Sequence, residues 1–170
     1  MGSGISGIYS GTIEKSQPFA NTYLVCADLL ALDKKDSSIY NPVEGYFRNP
    51  TAINLVDAIK NGGINLGNNR AHGTLQYVLD EYGDLIFGKR FNPNKVNGHA
   101  PHPTLIGGTN PRVQCAGMIT FSKGKIVSID NKSGHYKPNV RSLAKVDDYL
   151  NKLFKSHPEI FNSKSKWRRK

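Results

Sequence analysis

The middle of the chain alternates apolar and polar residues with the period of two that is typical of half-buried β-strands. This alternation is seen at residues 75–79, and further strand-like segments occupy residues 85–88, 113–121 and 125–129. Turn-forming residues at 81–84 and 122–124 join them in pairs, which predicts two hairpins. Residues 104–106 are predicted as a further short strand, and a helix over 75–82 is the alternative for the first hairpin strand.

Apolar residues recur with helical spacing on both sides of this strand region. A short helix is predicted over 22–32, and Thr51 is placed to cap a second helix that stops at Asn61 and the two glycines after it. Residues 142–154 predict a final amphipathic helix. Its inner face carries Leu143, Val146, Leu150 and Leu153. The predicted fold is therefore α+β, with N-terminal helices, an antiparallel four- to five-strand meander and a C-terminal helix.

The chain has 170 residues, which is enough for one domain with a single core. Residues 1–22 are rich in Gly, Ser and Thr and are predicted to form a linker or a loosely attached lead segment. Residues 23–160 are expected to form a single catalytic domain, and 161–170 a basic tail. No apolar run reaches the length of about 18 residues that spans a bilayer, so membrane insertion is not expected. The start lacks the pattern of a signal peptide, and its Gly/Ser-rich composition favours a piece of a longer exported protein.

The net charge of +10 is concentrated in one half of the sequence. Residues 1–80 carry a net charge of −1, and residues 81–170 carry +11. An excess of this size favours a polyanion or an acidic protein as partner, although a basic tail alone is the simpler reading. The two cysteines, Cys26 and Cys115, are too few for a disulfide scaffold or a Cys-rich zinc site and are predicted to be buried free thiols.

The candidate chemistry lies in two histidine-bearing loops on either side of the second predicted hairpin. His135 stands in the sequence Ser-Gly-His-Tyr-Lys-Pro at 133–138, with the hydroxyls of Ser133 and Tyr136 beside it. His102 lies between two prolines that restrict its backbone. Rigid strands can hold such imidazoles together, and a free imidazole titrates near neutral pH. This makes an enzyme the leading hypothesis, with a packed, structural His-Tyr pair as the alternative.

Other histidines are weaker candidates. His72 opens the first hairpin and is expected to join the same edge of the sheet, whereas His99 and His157 are expected to be surface residues. Three imidazoles from His72, His102 and His135 would suit zinc, but the sequence has no close ligand pair and no carboxylate cluster beside them. No metal or other cofactor is therefore expected.

Cleavage of a phosphodiester without metal needs a base, an acid and cations for the phosphate. We expect His135 to act as the base and His102 or His72 as the acid. The phosphate would be bound by basic residues of the same half of the chain, for which the candidates are Arg90, Arg112, Lys123 and Lys137. The expected substrate is RNA, whose 2′-hydroxyl supplies the nucleophile.

ADP-ribosyl transfer is the rival chemistry. The sequence His72-Gly73-Thr74 is similar to the His-Gly-Thr/Ser opening of diphtheria-type transferases, whose histidine holds nicotinamide adenine dinucleotide (NAD). Tyr136 would supply the stacking ring, and Asp130 is the available late carboxylate. A third possibility is a binding module without catalysis, in which the basic face takes an acidic partner.

Residues 72–145 resemble the C-terminal toxin domains of bacterial polymorphic toxin systems, including the Rhs and contact-dependent inhibition types. The resemblance rests on HPTLIGG at 102–108 and VQCAGMITFSKGKIVSIDNKSGHYKP at 113–138. A similar Ser-Gly-His-Tyr-x-Pro arrangement occurs in plant IQ-motif calmodulin-binding proteins. The resemblance implies a toxin module released from a larger secreted carrier, active in the cytoplasm of a target cell and neutralised by an acidic cognate immunity protein.

Overall fold

The computed structural model of the chain describes residues 9–12, 16–90 and 100–163. Its strands are β1 (Tyr9–Ser10), β2 (Tyr40–Asn41), β3 (Gly45–Tyr46), β4 (Ile53–Asn54), β5 (Ile59–Lys60), β6 (Gly63–Leu66), β7 (Asn69–Arg70), β8 (Gly73–Asp80), β9 (Leu85–Gly88), β10 (Val113–Ser122) and β11 (Lys125–Asp130). Its α-helices are α1 (Ala27–Lys34) and α2 (Leu143–Ser156). Short 3-10 helices cover Leu55–Ala58, His102–Leu105, Val140–Ser142 and Pro158–Ile160.

The main sheet has six strands in the order β1-β11-β10-β8-β9-β4. Both predicted hairpins are present, because β8 pairs with β9 and β10 pairs with β11. The hairpins do not follow one another as a meander: β10 returns beside β8, where Met118 faces Gln76, and not beside β9. The α+β class is confirmed, and the meander is replaced by two hairpins joined through their long strands.

The two faces of this sheet bury two separate cores. Leu75, Tyr77 and Leu79 alternate onto the face that is covered by α2. Val78 lies on the opposite face and packs with Leu105 and other residues of the loops that cover that face. The four predicted inner residues of α2 (Leu143, Val146, Leu150 and Leu153) are all buried, which confirms the final helix.

Two predicted elements are wrong. Residues 51–61 form no α-helix, because Ile53 pairs with Phe87 at the sheet edge and only a four-residue 3-10 turn follows. Residues 104–106 form no strand, because the chain around them turns in the 3-10 helix His102–Leu105. Pro101 and Pro103 lack the N–H groups that a sheet ladder needs, and the Pro101 carbonyl instead accepts the Thr104 N–H at 2.9 Å.

The two terminal segments are partly built into the domain. Residues Tyr9–Ser10 pair in parallel with β11, and the Gln17 N–H donates to the Lys137 carbonyl at 2.7 Å. These parts of the predicted lead segment therefore contact the rest of the fold. Phe161 likewise packs on Phe154 with ring centres 5.0 Å apart, while residues 164–170 of the predicted basic tail lie outside the described residues. Neither α-helix of the described chain has the length and apolar character to cross a membrane.

Candidate functional site

A cleft of about 380 Å³ opens where the loops after β9 and β11 cover one face of the sheet. Its floor is formed by Gln76 of β8 and Met118 of β10. Its walls include Arg90, His102, Lys132, Gly134 and His135. The tertiary structure therefore brings together two of the predicted histidines and one of the predicted cations.

His135 is held against a carboxylate that sequence reasoning did not identify. Its Nε2 lies 2.8 Å from Oδ2 of Asp33, the side chains being only 14% and 11% exposed. The Tyr46 hydroxyl donates to the same oxygen at 2.5 Å. Burial, followed by this hydrogen bond, raises the pKa of Tyr46 well above its usual value, so the hydroxyl keeps its proton and remains a donor. A carboxylate in this position fixes the tautomer and the direction of an imidazole.

The loop that carries His135 is fixed by the main chain. The Cys26 N–H donates to the His135 carbonyl at 2.7 Å, and the Lys137 N–H closes a turn on the Ser133 carbonyl at 2.7 Å. Lys137 is the residue of this turn with left-handed backbone, at φ 44°. Gly134 does not have the left-handed backbone conformation. A Cβ at Gly134 would meet open space.

His102 has both ring nitrogens engaged within the protein. Its Nε2 lies 2.8 Å from the Gly117 carbonyl, so this nitrogen is the donor. Its Nδ1 lies 3.2 Å from Oγ of Ser133, which in turn lies 3.3 Å from the Tyr136 N–H. His102 is 7% exposed and Ser133 is 8% exposed. This arrangement suits residues that fix the two loops on the sheet, and it is poorly suited to the expected role of His102 as an acid.

Tyr136 and His72 do not meet in the cleft. Tyr136 is fully buried and its hydroxyl donates to the Pro111 carbonyl at 2.8 Å, while burial raises its pKa. No face of its ring remains for stacking on a ligand. His72 is exposed, and its Nδ1 accepts the Lys123 N–H at 3.0 Å at the turn between β10 and β11. Neither residue is placed as ADP-ribosyl transfer would require.

Of the four cations predicted to bind phosphate, one lines the cleft and three do not. Arg90 lines the cleft, and Lys132, which sequence reasoning missed, lines it as well. Arg112 is exposed elsewhere and donates to Thr22 Oγ1 at 3.0 Å, and Lys123 and Lys137 are not among the residues lining the cleft. Among the described residues that line the cleft with His135, the positive charges are therefore those of Arg90 and Lys132.

The remaining candidates are outside the cleft. His99 lies outside the described residues, and His157 forms an exposed pair with Glu159. Asp130 accepts the N–H groups of Met118 and Lys132 at 2.8 and 2.9 Å, so it orders the sheet end, and burial raises its pKa. Within the described ranges, no three His, Cys, Asp or Glu side chains are grouped to hold a metal ion.

The two cysteines differ in their surroundings. Cys115 is buried as predicted, and burial raises the pKa of its thiol to about 12. Cys26 is only half-buried, and desolvation raises its pKa more modestly. Both are free thiols, and neither contributes to the cleft.

Sequence reasoning missed Asp33 and Lys132 in the site, for different reasons. Asp33 lies 102 residues before His135, at the end of a helix that carries no catalytic pattern. Lys132 had a usable signal, because it directly precedes the Ser-Gly-His-Tyr sequence in the basic half.

Comparison of the chain with protein-family models, curated proteins and solved structures found no match in any of the three.

Proposed function

We propose that this chain is a toxin effector domain that cleaves RNA without a metal ion, using His135 as the general base. One observation supports the proposal above all others: a carboxylate-held imidazole lies on the wall of a cleft that also carries Arg90 and Lys132. An oriented base next to two cations supplies two of the three kinds of group that metal-free cleavage of a phosphodiester needs, and water supplies the proton for the leaving oxygen.

The reaction follows from these groups. The His135 imidazole removes the proton of a ribose 2′-hydroxyl, and the 2′-oxygen attacks the adjacent phosphorus. The bond from phosphorus to the 5′-oxygen breaks, that oxygen takes up a proton from water, and a 2′,3′-cyclic phosphate remains. Arg90 and Lys132 stabilise the charge that develops on the phosphoryl oxygens, and Asp33 stabilises the imidazolium that forms. His102 has a positioning role here, because its ring nitrogens are bonded to Gly117 and Ser133.

The net positive charge of the chain and its resemblance to polymorphic toxins support the proposed role as a toxin. The net charge of +10 suits both an RNA substrate and an acidic immunity protein that would cover the cleft. A toxin of this kind would reach the cytoplasm of a target cell as part of a larger secreted protein. Transfer of ADP-ribose is not proposed, because Tyr136 is buried and His72 lies outside the cleft.

The test uses wild-type protein and a matched pair of substrates. Single-stranded RNA labelled at its 5′ end is incubated with the protein in the presence of a chelator, beside the same oligonucleotides with 2′-deoxyribose throughout. Cleavage of the RNA alone, with a 2′,3′-cyclic phosphate on the product, is expected. A parallel reaction contains labelled NAD and cell lysate. Intact RNA, cleavage that the chelator abolishes, or transfer of the NAD label would overturn the proposal.

A further inference from the structure

We propose that Gln76 determines which base the cleft accepts, by taking a hydrogen bond from a donor on the edge of the base, such as the exocyclic amino group of adenine. This inference rests on the proposed function, since it assumes that a nucleotide occupies the cleft. It concerns a residue that lies on the sheet floor, apart from the histidine loops.

The Gln76 amide is fixed in one orientation. The side chain is only 2% exposed, and its Nε2 donates to the Lys89 carbonyl at 3.0 Å and to the Ala100 carbonyl at 2.7 Å. Carbonyl oxygens only accept hydrogen bonds, so both amide hydrogens are used and the group cannot be turned over without losing both bonds. The Oε1 atom is thereby fixed as an acceptor.

This acceptor belongs to a residue of the cleft floor. Gln76 lines the cleft, and within the part of the chain that the structure describes no group donates to its Oε1. An amide oxygen that belongs to a buried side chain and has no donor within the described residues favours a ligand that brings one. Because the amide cannot reverse, the site distinguishes a donor from an acceptor at this point.

The neighbouring side chains indicate what carries the donor. Met118 faces Gln76 across the strands and lines the same cleft, so it offers an apolar, adaptable surface for a planar ring. Arg90 and Lys132 on the walls suit the attached phosphate. The exocyclic amino group of a base such as adenine combines a flat ring with a hydrogen-bond donor, whereas unsubstituted purine has the same ring without that donor.

Binding of uncleavable oligonucleotides tests this without relying on catalysis. The probes are short 2′-O-methyl RNAs with a fluorescent end, identical except for one central base that is either adenine or unsubstituted purine, which lacks only the amino group. Fluorescence anisotropy of the wild-type protein should show roughly 5- to 100-fold weaker binding of the purine probe. Equal, measurable affinities would overturn the role of Gln76 alone. Failure to bind either probe, together with intact RNA in the cleavage assay, would overturn the proposed function as well.

Two variants test whether Gln76 causes the difference in affinity between the two probes. Gln76→Met keeps the length of the side chain and removes the acceptor, so the two probes should then bind equally. Thr74→Val, two residues away on the same face and exposed, should keep the discrimination. Thermal melting checks that each variant folds. If Gln76→Met does not fold, the wild-type probe series still decides the question, and discrimination that survives in a folded Gln76→Met would overturn the assignment.

Discussion

Two histidine–carboxylate pairs in this protein share the same chemistry and differ in their surroundings. His135 and Asp33 are 2.8 Å apart with side chains 14% and 11% exposed, and 102 residues of chain separate them. His157 and Glu159 are 3.2 Å apart, two residues from each other, with side chains 41% and 45% exposed. Water screens the second pair, whereas the first pair is held by packing at a cleft. Burial and a third partner, Tyr46, hold the pair of His135 and Asp33 in one arrangement, and the exposed pair has neither.

We expect the largest effect on the rate of RNA cleavage, where substitutions of His135 and His157 should differ most. His135→Gln should lower the rate of RNA cleavage by roughly 100-fold or more, because the general base is lost. His157→Gln is the matched control and should cleave at the wild-type rate. The measurement is the initial rate on labelled RNA with the folded fraction checked by circular dichroism. Equal rates for the two variants would show that the buried pair has no catalytic role.

His102 should affect stability instead. His102→Ala leaves the Gly117 carbonyl without its donor and opens a cavity, so the free energy of unfolding should fall by about 2–4 kcal/mol. His72→Ala, at an exposed position, should change it by about 0.5 kcal/mol or less. Urea denaturation measures both. Coincident unfolding curves for the two variants would contradict the structural role of His102.

Removing the charge of the buried carboxylate tests what orients His135. Asp33→Asn keeps the size of the side chain and an oxygen for the Tyr46 hydroxyl, and it should slow cleavage by roughly 10-fold or more, since the imidazolium loses its partner. Glu159→Gln, which neutralises the exposed carboxylate, should leave the rate unchanged. The same initial-rate assay applies. An Asp33→Asn protein as active as wild type would remove Asp33 from the mechanism.

The contribution of Tyr46 is expected to be smaller. Tyr46→Phe removes one donor to Asp33 and should lower the free energy of unfolding by about 1 kcal/mol. Combining it with Asp33→Asn should give less than the sum of the separate losses, because Asp33→Asn already removes the charge that strengthens this hydrogen bond. Urea denaturation of the three variants measures this coupling. Strict additivity would mean that the charge of Asp33 adds nothing to the strength of the bond.

The smallest effect concerns the exposed pair and pH. The hydrogen bond between the Glu159 carboxylate and its own backbone is the main cause that lowers the pKa of Glu159 below its usual 4.5, and the hydrogen bond to His157 is the second. A lowered folded-state pKa stabilises the protein above pH 4.5, and that stability is lost as the pH falls through the lowered value. NMR titration of Glu159 should show the lowered pKa, with His157→Gln moving it part of the way back. High salt should move it further. A titration identical in His157→Gln would show that the pair forms no significant contact.

The hairpins and the final helix were predictable because each is specified by local periodicity. Leu143, Val146, Leu150 and Leu153 repeat on one helical face, and all four are buried. Residues 51–61 could not be predicted in the same way, because the pairing of Ile53 with Phe87 overrides their helical spacing. Arg90 was one of four candidate cations that the basic half of the chain suggested, and only tertiary packing placed it in one cleft with His135. The separation of His72 from that cleft was not predicted.

The sequence by itself determined the α+β class, the two hairpins, the basic half of the chain and the loops in which reactive groups lie. The tertiary structure decided which of those groups meet: it joined Asp33 and Tyr46 to His135, bonded His102 on both ring nitrogens and buried Tyr136. The reason is physical. Periodicity records which face of an element is apolar, but a hydrogen bond between residues 102 positions apart depends on how loops pack, which no local pattern encodes.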